Sequence, residues 1–290
     1  MPASFRENGM LNRRATLGLM GATALGGGAA FAGEKGDEAL KAAIAGPQRA
    51  SAHVVRDPHR HPYDSLVFWG LKPKQTVIEI SPGSGYWTEI LAPYAKATGG
   101  TYIAGVADLG NPALSEGARK GRAAFEAKYA DKAVFGDIAY ANFGPKSAAL
   151  GPPGSADLVI TARNVHNWVG GPMLDKAFAD FFAVLRPGGL LGVEDHRSDP
   201  LPQAEGAPTG YMSTAFVIAA AEKAGFQLAA SSEINANPKD DKDHPFGVWT
   251  LPPVRQSAPR GQPADPTFDQ APFDSIGESD RMTLRLVKPK

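Results

Sequence analysis

Over 290 residues, 30 basic and 30 acidic side chains cancel to a formal charge of zero at neutral pH, which excludes a nucleic-acid surface built on global basicity. Hydrophobic residues make up 43% of the chain, enough to bury a full core, and the length suits one domain with extensions better than two domains. Cysteine is absent, which excludes disulfides and a lipid-attachment thiol.

Residues 1–32 read as an export signal. Arg13 and Arg14 precede a weakly apolar, Gly/Ala-rich stretch from Leu17 to Phe31, and Ala30-Phe31-Ala32 supplies the small-x-small pattern cut by signal peptidases. The arginine pair resembles a twin-arginine signal, although Thr16 stands where that pattern prefers an apolar residue, so the general secretory route stays open. The run falls short of the roughly 20 apolar residues of a membrane anchor and is diluted by glycine. The expectation is a mature protein that is periplasmic or secreted, with no membrane contact after cleavage.

Residues 33–75 are expected to form an N-terminal helical cap. Leu40, Ala43 and Ile44 share one face of a helical pattern over Asp37–Val55 that Gly46-Pro47 interrupts, and a further helix runs from Tyr63 to Trp69. Between them lies Arg56-Asp57-Pro58-His59-Arg60-His61-Pro62, which is either a solvated loop or a segment folded over the edge of the first strand.

Residues 76–290 carry the main domain. Val77, Ile78 and Ile80 form a short β-branched run that reads as a strand buried on both faces. Ser81-Pro82-Gly83-Ser84-Gly85 turns the chain into a helix over Tyr86–Ala95, and Glu79 sits near the strand end where a carboxylate can accept bonds from a ligand. A second strand, Thr101–Val106, leads to Asp108, whose placement suits either a ribose-binding or a capping role. A helix over Ser115–Tyr129 follows, then a short third strand over Ala133–Phe135 ending at Gly136-Asp137. Asp137 would face an adenine amino group or simply serve a Gly-Asp turn.

Ala156–Thr161 is a fourth buried strand opening into Arg163-Asn164-Val165-His166-Asn167-Trp168. A helix over Met173–Leu185 stops at Arg186-Pro187-Gly188-Gly189, and a fifth strand, Leu190–Val193, runs into Glu194-Asp195-His196-Arg197. After a helix over Thr209–Ala224 and a sixth strand over Phe226–Ile234 comes a long connection, Asn235–Glu278, of a length that marks a lid or a linker. Arg281–Val287 alternates as an edge strand does and should pair antiparallel with the sixth.

Glu79 to Gly85, Asp157 to Trp168, Leu185 to Gly189 and the terminal strand pair together resemble a class I S-adenosylmethionine-dependent methyltransferase over most of Pro47–Pro289. The segments at Arg56–Pro62, Arg163–Trp168 and Val193–Arg197 are similar to the RDxxRHP, RNVHNW and VEDHR stretches of an exported bacterial branch of predicted methyltransferases. The family pattern sets an acidic residue and three alternating glycines at the turn; Glu79, Gly83 and Gly85 match, and Ser81 replaces the first glycine. A dinucleotide dehydrogenase is the rival fold, but its G-x-G-x-x-G is absent.

The resemblance implies an α/β fold: a Rossmann-like seven-stranded sheet with helices on both faces and a terminal antiparallel β-hairpin. It implies S-adenosylmethionine as cofactor, held by Glu79, Ser81, Gly83, Gly85, Tyr86, Asp108, Asp137 and Asn164, and a small-molecule methyl acceptor. The polar clusters are expected to converge on that acceptor through His61, His166, Asn167, Asp195 and His196. His166 or His196 would serve as base, with Asp195 or Asp57 to orient it. Two other function classes remain: an exported binding protein that keeps the fold without turnover, and metal-assisted chemistry on His59, His61, His166, Asp195 and His196, although no pair of these has the spacing of a recognised metal motif.

Overall fold

The computed structural model describes residues 38–290, so the expected export signal lies outside the described residues. The strands are β1 (Thr76–Ile80), β2 (Thr101–Ala107), β3 (Ala139–Phe143), β4 (Ala156–Ala162), β5 (Leu185–His196), β6 (Gln227–Ser232) and β7 (Arg281–Val287). They form one sheet in the order β3-β2-β1-β4-β5-β7-β6. The first five are parallel, and β7 runs antiparallel to both β5 and β6. Strand order reverses between β1 and β4, so a crevice opens outside their C-terminal ends.

Helices cover both faces, and the period-2 alternation of the strands feeds two cores. Ile78 of β1 and Val159 of β4 pack with Phe178 and Phe181 of α8 (Met173–Val184) and with Val217 and Ala221 of α9 (Thr214–Lys223). Val77, Leu158 and Ile160 face the other way. There they meet α1 (Glu38–Ala45), α4 (Pro62–Trp69), α5 (Thr88–Thr98) and Phe125 of α6 (Glu116–Lys128). The short helices α2 (Ser51–Val54) and α3 (Asp57–Arg60) complete the N-terminal cap.

Three expectations are corrected. Ala133–Phe135 is not a strand but belongs to the helical turn α7 (Lys132–Phe135), because Asp131 caps it by accepting from Ala133 N at 2.9 Å. The third strand is Ala139–Phe143, so Asp137 precedes a strand instead of ending one. β7 is not an edge strand: it is inserted between β5 and β6 and is buried along most of its length, and the edge falls to the more exposed β6.

The long connection before β7 contains a 3₁₀ turn at Gly247–Thr250 and α10 (Ala271–Ile276), and it docks on the molecule. Buried Asp240 ties it down, accepting from Tyr211 Oη, His244 Nε2 and Asp280 N at 2.7–2.8 Å. Among the described residues, no helix is long and apolar enough to cross a membrane.

The cap rests on the sheet through Trp69, whose indole lies against Gly192 of β5; a Cβ at Gly192 would stand 2.6 Å from the ring. Gly192→Val should therefore overpack this seam and cost about 1–3 kcal/mol. A urea melt should show a lower midpoint at unchanged slope. Parental stability in that melt would show that the cap is not braced on Gly192.

Candidate functional site

The chain leaves β1 with Ser81, Gly83 and Gly85 at φ +49°, +59° and +92°, three left-handed residues in five positions. Ser81 takes this conformation without glycine's freedom, and Ser81 N donates to the Gly105 carbonyl at 2.8 Å. Ser84 is gripped by the cap and by α6: His53 Nε2 lies 3.0 Å from its Oγ, and Lys128 Nζ and Tyr129 Oη each donate to its carbonyl at 3.0 Å. The same groups converge on Glu89. Burial alone would raise its carboxyl, but bonds from His53, Lys128 and Ala50 N prevail and hold it at about 2.

The two glycines have different duties. A Cβ on Gly85 would stand 1.8 Å from the Tyr129 hydroxyl, whereas one on Gly83 would meet no protein atom within 4 Å. Gly85 is thus required by packing, and the space over Gly83 is open. Glu79 lies buried beneath the turn, with Oε2 accepting from Thr88 Oγ1 at 2.8 Å and Tyr102 Oη at 2.5 Å. Burial outweighs both bonds and pushes its carboxyl up to about 7.

Two cavities meet at this turn, and Ser81, Pro82, Gly83 and Asn164 line both. The first, about 310 Å³, is walled by Glu79, Tyr86, Arg56, Arg163, His166, His196 and the docked connection through Trp249, Pro252, Glu278 and Ser279. The second, about 570 Å³, has apolar walls of Val106, Phe125, Phe143, Trp168 and Met173 with Asn167 and Arg122 at its border.

In the first cavity His166 Nδ1 lies 2.8 Å from Asp195 Oδ1, and Asp195 also accepts from the backbone N–H of His166 and of His196. A carboxylate can only accept, so Nδ1 carries a proton, and in the neutral ring Nε2 holds the lone pair. The His196 ring is 5.1 Å from that of His166, and its Nδ1 meets Ser279 Oγ at 2.5 Å. Burial, with His166, Arg163 and Arg281 nearby, drives the His196 imidazole well below its ordinary range, so it stays neutral.

Behind the histidines is a buried ion cluster centred on Glu278. Arg56 Nε donates to it at 2.6 Å, Arg281 Nη1 at 2.7 Å and Arg60 Nε at 3.1 Å; Arg163 Nη1 stands off at 3.9 Å. Burial would raise Glu278, but Arg281, Arg163 and Arg56 overcome it and hold the carboxyl low. Arg60 also lies 4.4 Å over the Tyr86 ring, whose hydroxyl donates to Asp57 at 2.6 Å. Arg281 Nη1 is 3.1 Å from Glu194 Oε1, yet its N–H bonds point elsewhere and both Glu194 oxygens lack a hydrogen-bond partner. Burial raises the Glu194 carboxyl accordingly.

The structure brings together His166, Asp195, His196, Asn164, Glu79, Ser81, Gly83 and Tyr86. Asn167 turns instead to the second cavity and to a third one beside Trp249 and His244. His61 does not line the first cavity: it occupies a left-handed position ahead of α4, with Nδ1 3.3 Å from Asn235 Oδ1. Asp57 orients no histidine; it is clamped by Arg49 at 2.6 and 2.7 Å. Asp108 accepts from Gly110 N at 2.9 Å in a local turn, and the helix that follows is capped instead by Ser115. Asp137 is an exposed partner of Lys132, 2.5 Å away, at the opposite end of the sheet from the crevice.

Of the five groups proposed for metal chemistry, only His166, Asp195 and His196 cluster. Both Asp195 oxygens are committed to N–H donors and the neighbouring arginines repel a cation, so the set does not fit a metal ion. Glu278, Ser279, Trp249, Arg60 and Arg281 were not legible as site residues. The only local signal was the density of charge in Arg56–Pro62, without any indication of its partner 218 residues on.

Solved structures with this fold include a SAM-dependent methyltransferase from Aquifex aeolicus (14% identity, TM-score 0.50, 80% of this chain and 92% of that one). Geranyl diphosphate C-methyltransferase from Streptomyces coelicolor A3(2), in complex with Mg2+, geranyl diphosphate and S-adenosyl-L-homocysteine, is similar at 11% identity and TM-score 0.51, over 86% of this chain and 87% of that one. The [4+2]-cyclase SpnF is similar at 13% identity and TM-score 0.50, over 84% and 85%. No family model and no curated protein sequence matches the chain. At these identities the likeness establishes the fold.

Two outcomes are expected. Gly85→Ala should destabilise strongly through the Tyr129 clash, whereas Gly83→Ala should cost only the backbone strain of about 1–2 kcal/mol; equal melting temperatures for the two would refute the division of duties. Glu79, raised when folded, favours the fold below its unfolded value of about 4.5, and that contribution is lost as pH climbs through about 7. Stability should fall across that window by roughly 3 kcal/mol, and Glu79→Gln should flatten the slope. Parallel pH profiles for parent and variant would show that Glu79 does not titrate there.

Proposed function

We propose that this protein transfers the methyl group of S-adenosylmethionine to a small molecule bound in the first cavity. The observation that carries the reading is the meeting of two unlike cavities at one Gly-rich turn, sharing Ser81, Pro82, Gly83 and Asn164. The apolar walls of the second suit a purine, and the polar first suits the amino-acid end of the donor beside a reacting partner. The free space over Gly83 is a cradle that a Cβ would fill, and Glu79 keeps Oε1 free of protein hydrogen bonds for an ammonium group. These residues fit the cofactor.

The donor supplies a methyl group already activated on a sulfonium. The protein's work is positioning, which can supply up to roughly 7–11 kcal/mol when reacting atoms are held in line. Trp249 and Val248 line the same cavity with apolar surface. His166 would act as base: the acceptor's proton would pass to His166 Nε2 while the acceptor's own electron pair takes the methyl group, releasing a neutral thioether. Asp195 then stabilises the imidazolium it already orients. His196, kept neutral, stands beside the base without adding charge.

Titration calorimetry with S-adenosylhomocysteine should show one site per chain, and Gly83→Val should weaken it at least a hundredfold, about 2.7 kcal/mol. Failure of the wild type to bind would sink the reading. Because an ammonium favours ionised Glu79, affinity should rise with pH from about 6 to 8 and level off, while Glu79→Gln should show no such rise. A parent affinity independent of pH would remove Glu79 from the donor site.

A further inference from the structure

We propose that the methyl acceptor is an anion, carrying a carboxylate or phosphate that Arg163 and Arg56 hold in the first cavity; this rests on the reading above. The charge inventory leads there. Four guanidiniums, Arg56, Arg60, Arg163 and Arg281, share two carboxylates, Glu278 and Glu194. Counting Asp195 as a third negative group still leaves an excess of one positive charge, with Arg60 and Arg281 buried and Arg56 and Arg163 partly exposed to the cavity. An uncompensated buried charge is strongly unfavourable, so such an excess calls for a counter-charge. The donor cannot provide it: sulfonium, ammonium and carboxylate sum to one further positive charge.

Arg163 is the group equipped to receive the anion. It lines the cavity, its nearest carboxylate oxygen is 3.9 Å away, and its guanidinium donates no hydrogen bond to any described residue. Its backbone is held at φ +58° directly after β4, a left-handed conformation that a non-glycine residue keeps only where its surroundings impose it. Arg56, also in the lining, is bound to Glu278 through Nε, while its buried Nη2 has no partner. A planar fork with free N–H groups matches carboxylate and phosphate geometry, and a neutral hydroxyl would satisfy only one of them. Burial first, then Arg281 beside Arg163 and Arg163 and Arg281 beside Arg56, lower the affinity of both side chains for their protons.

An anionic acceptor also suits the transfer itself, because its negative charge lies beside a cationic sulfonium whose charge is lost as the methyl moves and a neutral thioether departs. The competing source of the same chemistry is the donor's own carboxylate, so the test must separate the two.

The full chain is titrated with inorganic phosphate and, separately, with benzoate, free and saturated with S-adenosylhomocysteine. The comparison is Arg163→Gln, which removes no hydrogen bond of the fold and is checked by its melt. At least one anion should bind the saturated protein and lose at least tenfold in affinity in the variant, with S-adenosylhomocysteine affinity changed less than threefold. Failure of both anions to bind while S-adenosylhomocysteine does would overturn the anionic acceptor and leave the methyltransferase reading standing. A tenfold loss of S-adenosylhomocysteine affinity in Arg163→Gln, with no anion bound to the saturated wild type, would assign the arginines to the donor and also overturn it. If S-adenosylhomocysteine does not bind at all, the methyltransferase reading fails, and with it a methyl acceptor of any charge.

Discussion

Everything at the open end of this sheet hangs on one carboxylate. Glu278 accepts from Arg56 and Arg60 of the cap and from Arg281 at the head of β7, and it belongs to the last residues of the docked connection. One side chain therefore joins three segments that approach the crevice from different directions. Losing one partner of such a buried set is far costlier than losing a surface pair, because the charges left behind have no water to turn to. The cation–π contact of Arg60 with Tyr86 extends the cluster to the Gly-rich turn, so the cap, the turn and the docked connection are joined through side-chain contacts.

The parallel half of the sheet was legible because its information is local. Val77-Ile78-Glu79-Ile80 and Asp157-Leu158-Val159-Ile160 announce buried strands, and Ser81 to Gly85 announces the turn between strand and helix. β3 was misplaced because Val134 and Phe135 favour a strand while Asp131, the residue directly before Lys132, caps a helical turn. The central position of β7 could not be read from its alternation, since two-sided burial depends on which strand lies beyond it. Of the site, Glu79, Ser81, Gly83, His166, Asp195 and His196 follow from the rule that strand ends converge. His61 failed the same reasoning because it precedes a helix of the cap instead of following a strand, and its ring is directed at Asn235. Glu278 and Ser279 were hidden in a stretch of Pro, Asp and Gly whose role depends on tertiary contact alone.

Fold and chemistry remain separate layers here. A sheet of this order also carries a [4+2]-cyclase, so the architecture guarantees a crevice and no particular reaction. What narrows the chemistry is the contents of the crevice: an imidazole with a fixed tautomer, a second imidazole kept neutral, a carboxyl poised near neutrality and a surplus of guanidinium. No single member is diagnostic. Their combination favours a partner that brings negative charge and gives up a proton.

The insertion of β7 between β5 and β6 has a consequence for the order in which the molecule can be made. A ribosome completes β1 through β6 before β7 emerges, and until then β5 and β6 have no strand between them. Arg281 arrives with that strand, and Glu278 and Ser279 directly precede it, so the floor of the cavity and the anchor of the cap are supplied last. Such late, long-range closure is slow compared with local helix formation. Pulse-labelled hydrogen exchange during refolding would reveal it as cap amides protected no sooner than those of β7. The nascent chain thus carries its Gly-rich turn and its histidines before it carries Glu278, Ser279 and Arg281, the residues that complete the wall beside them.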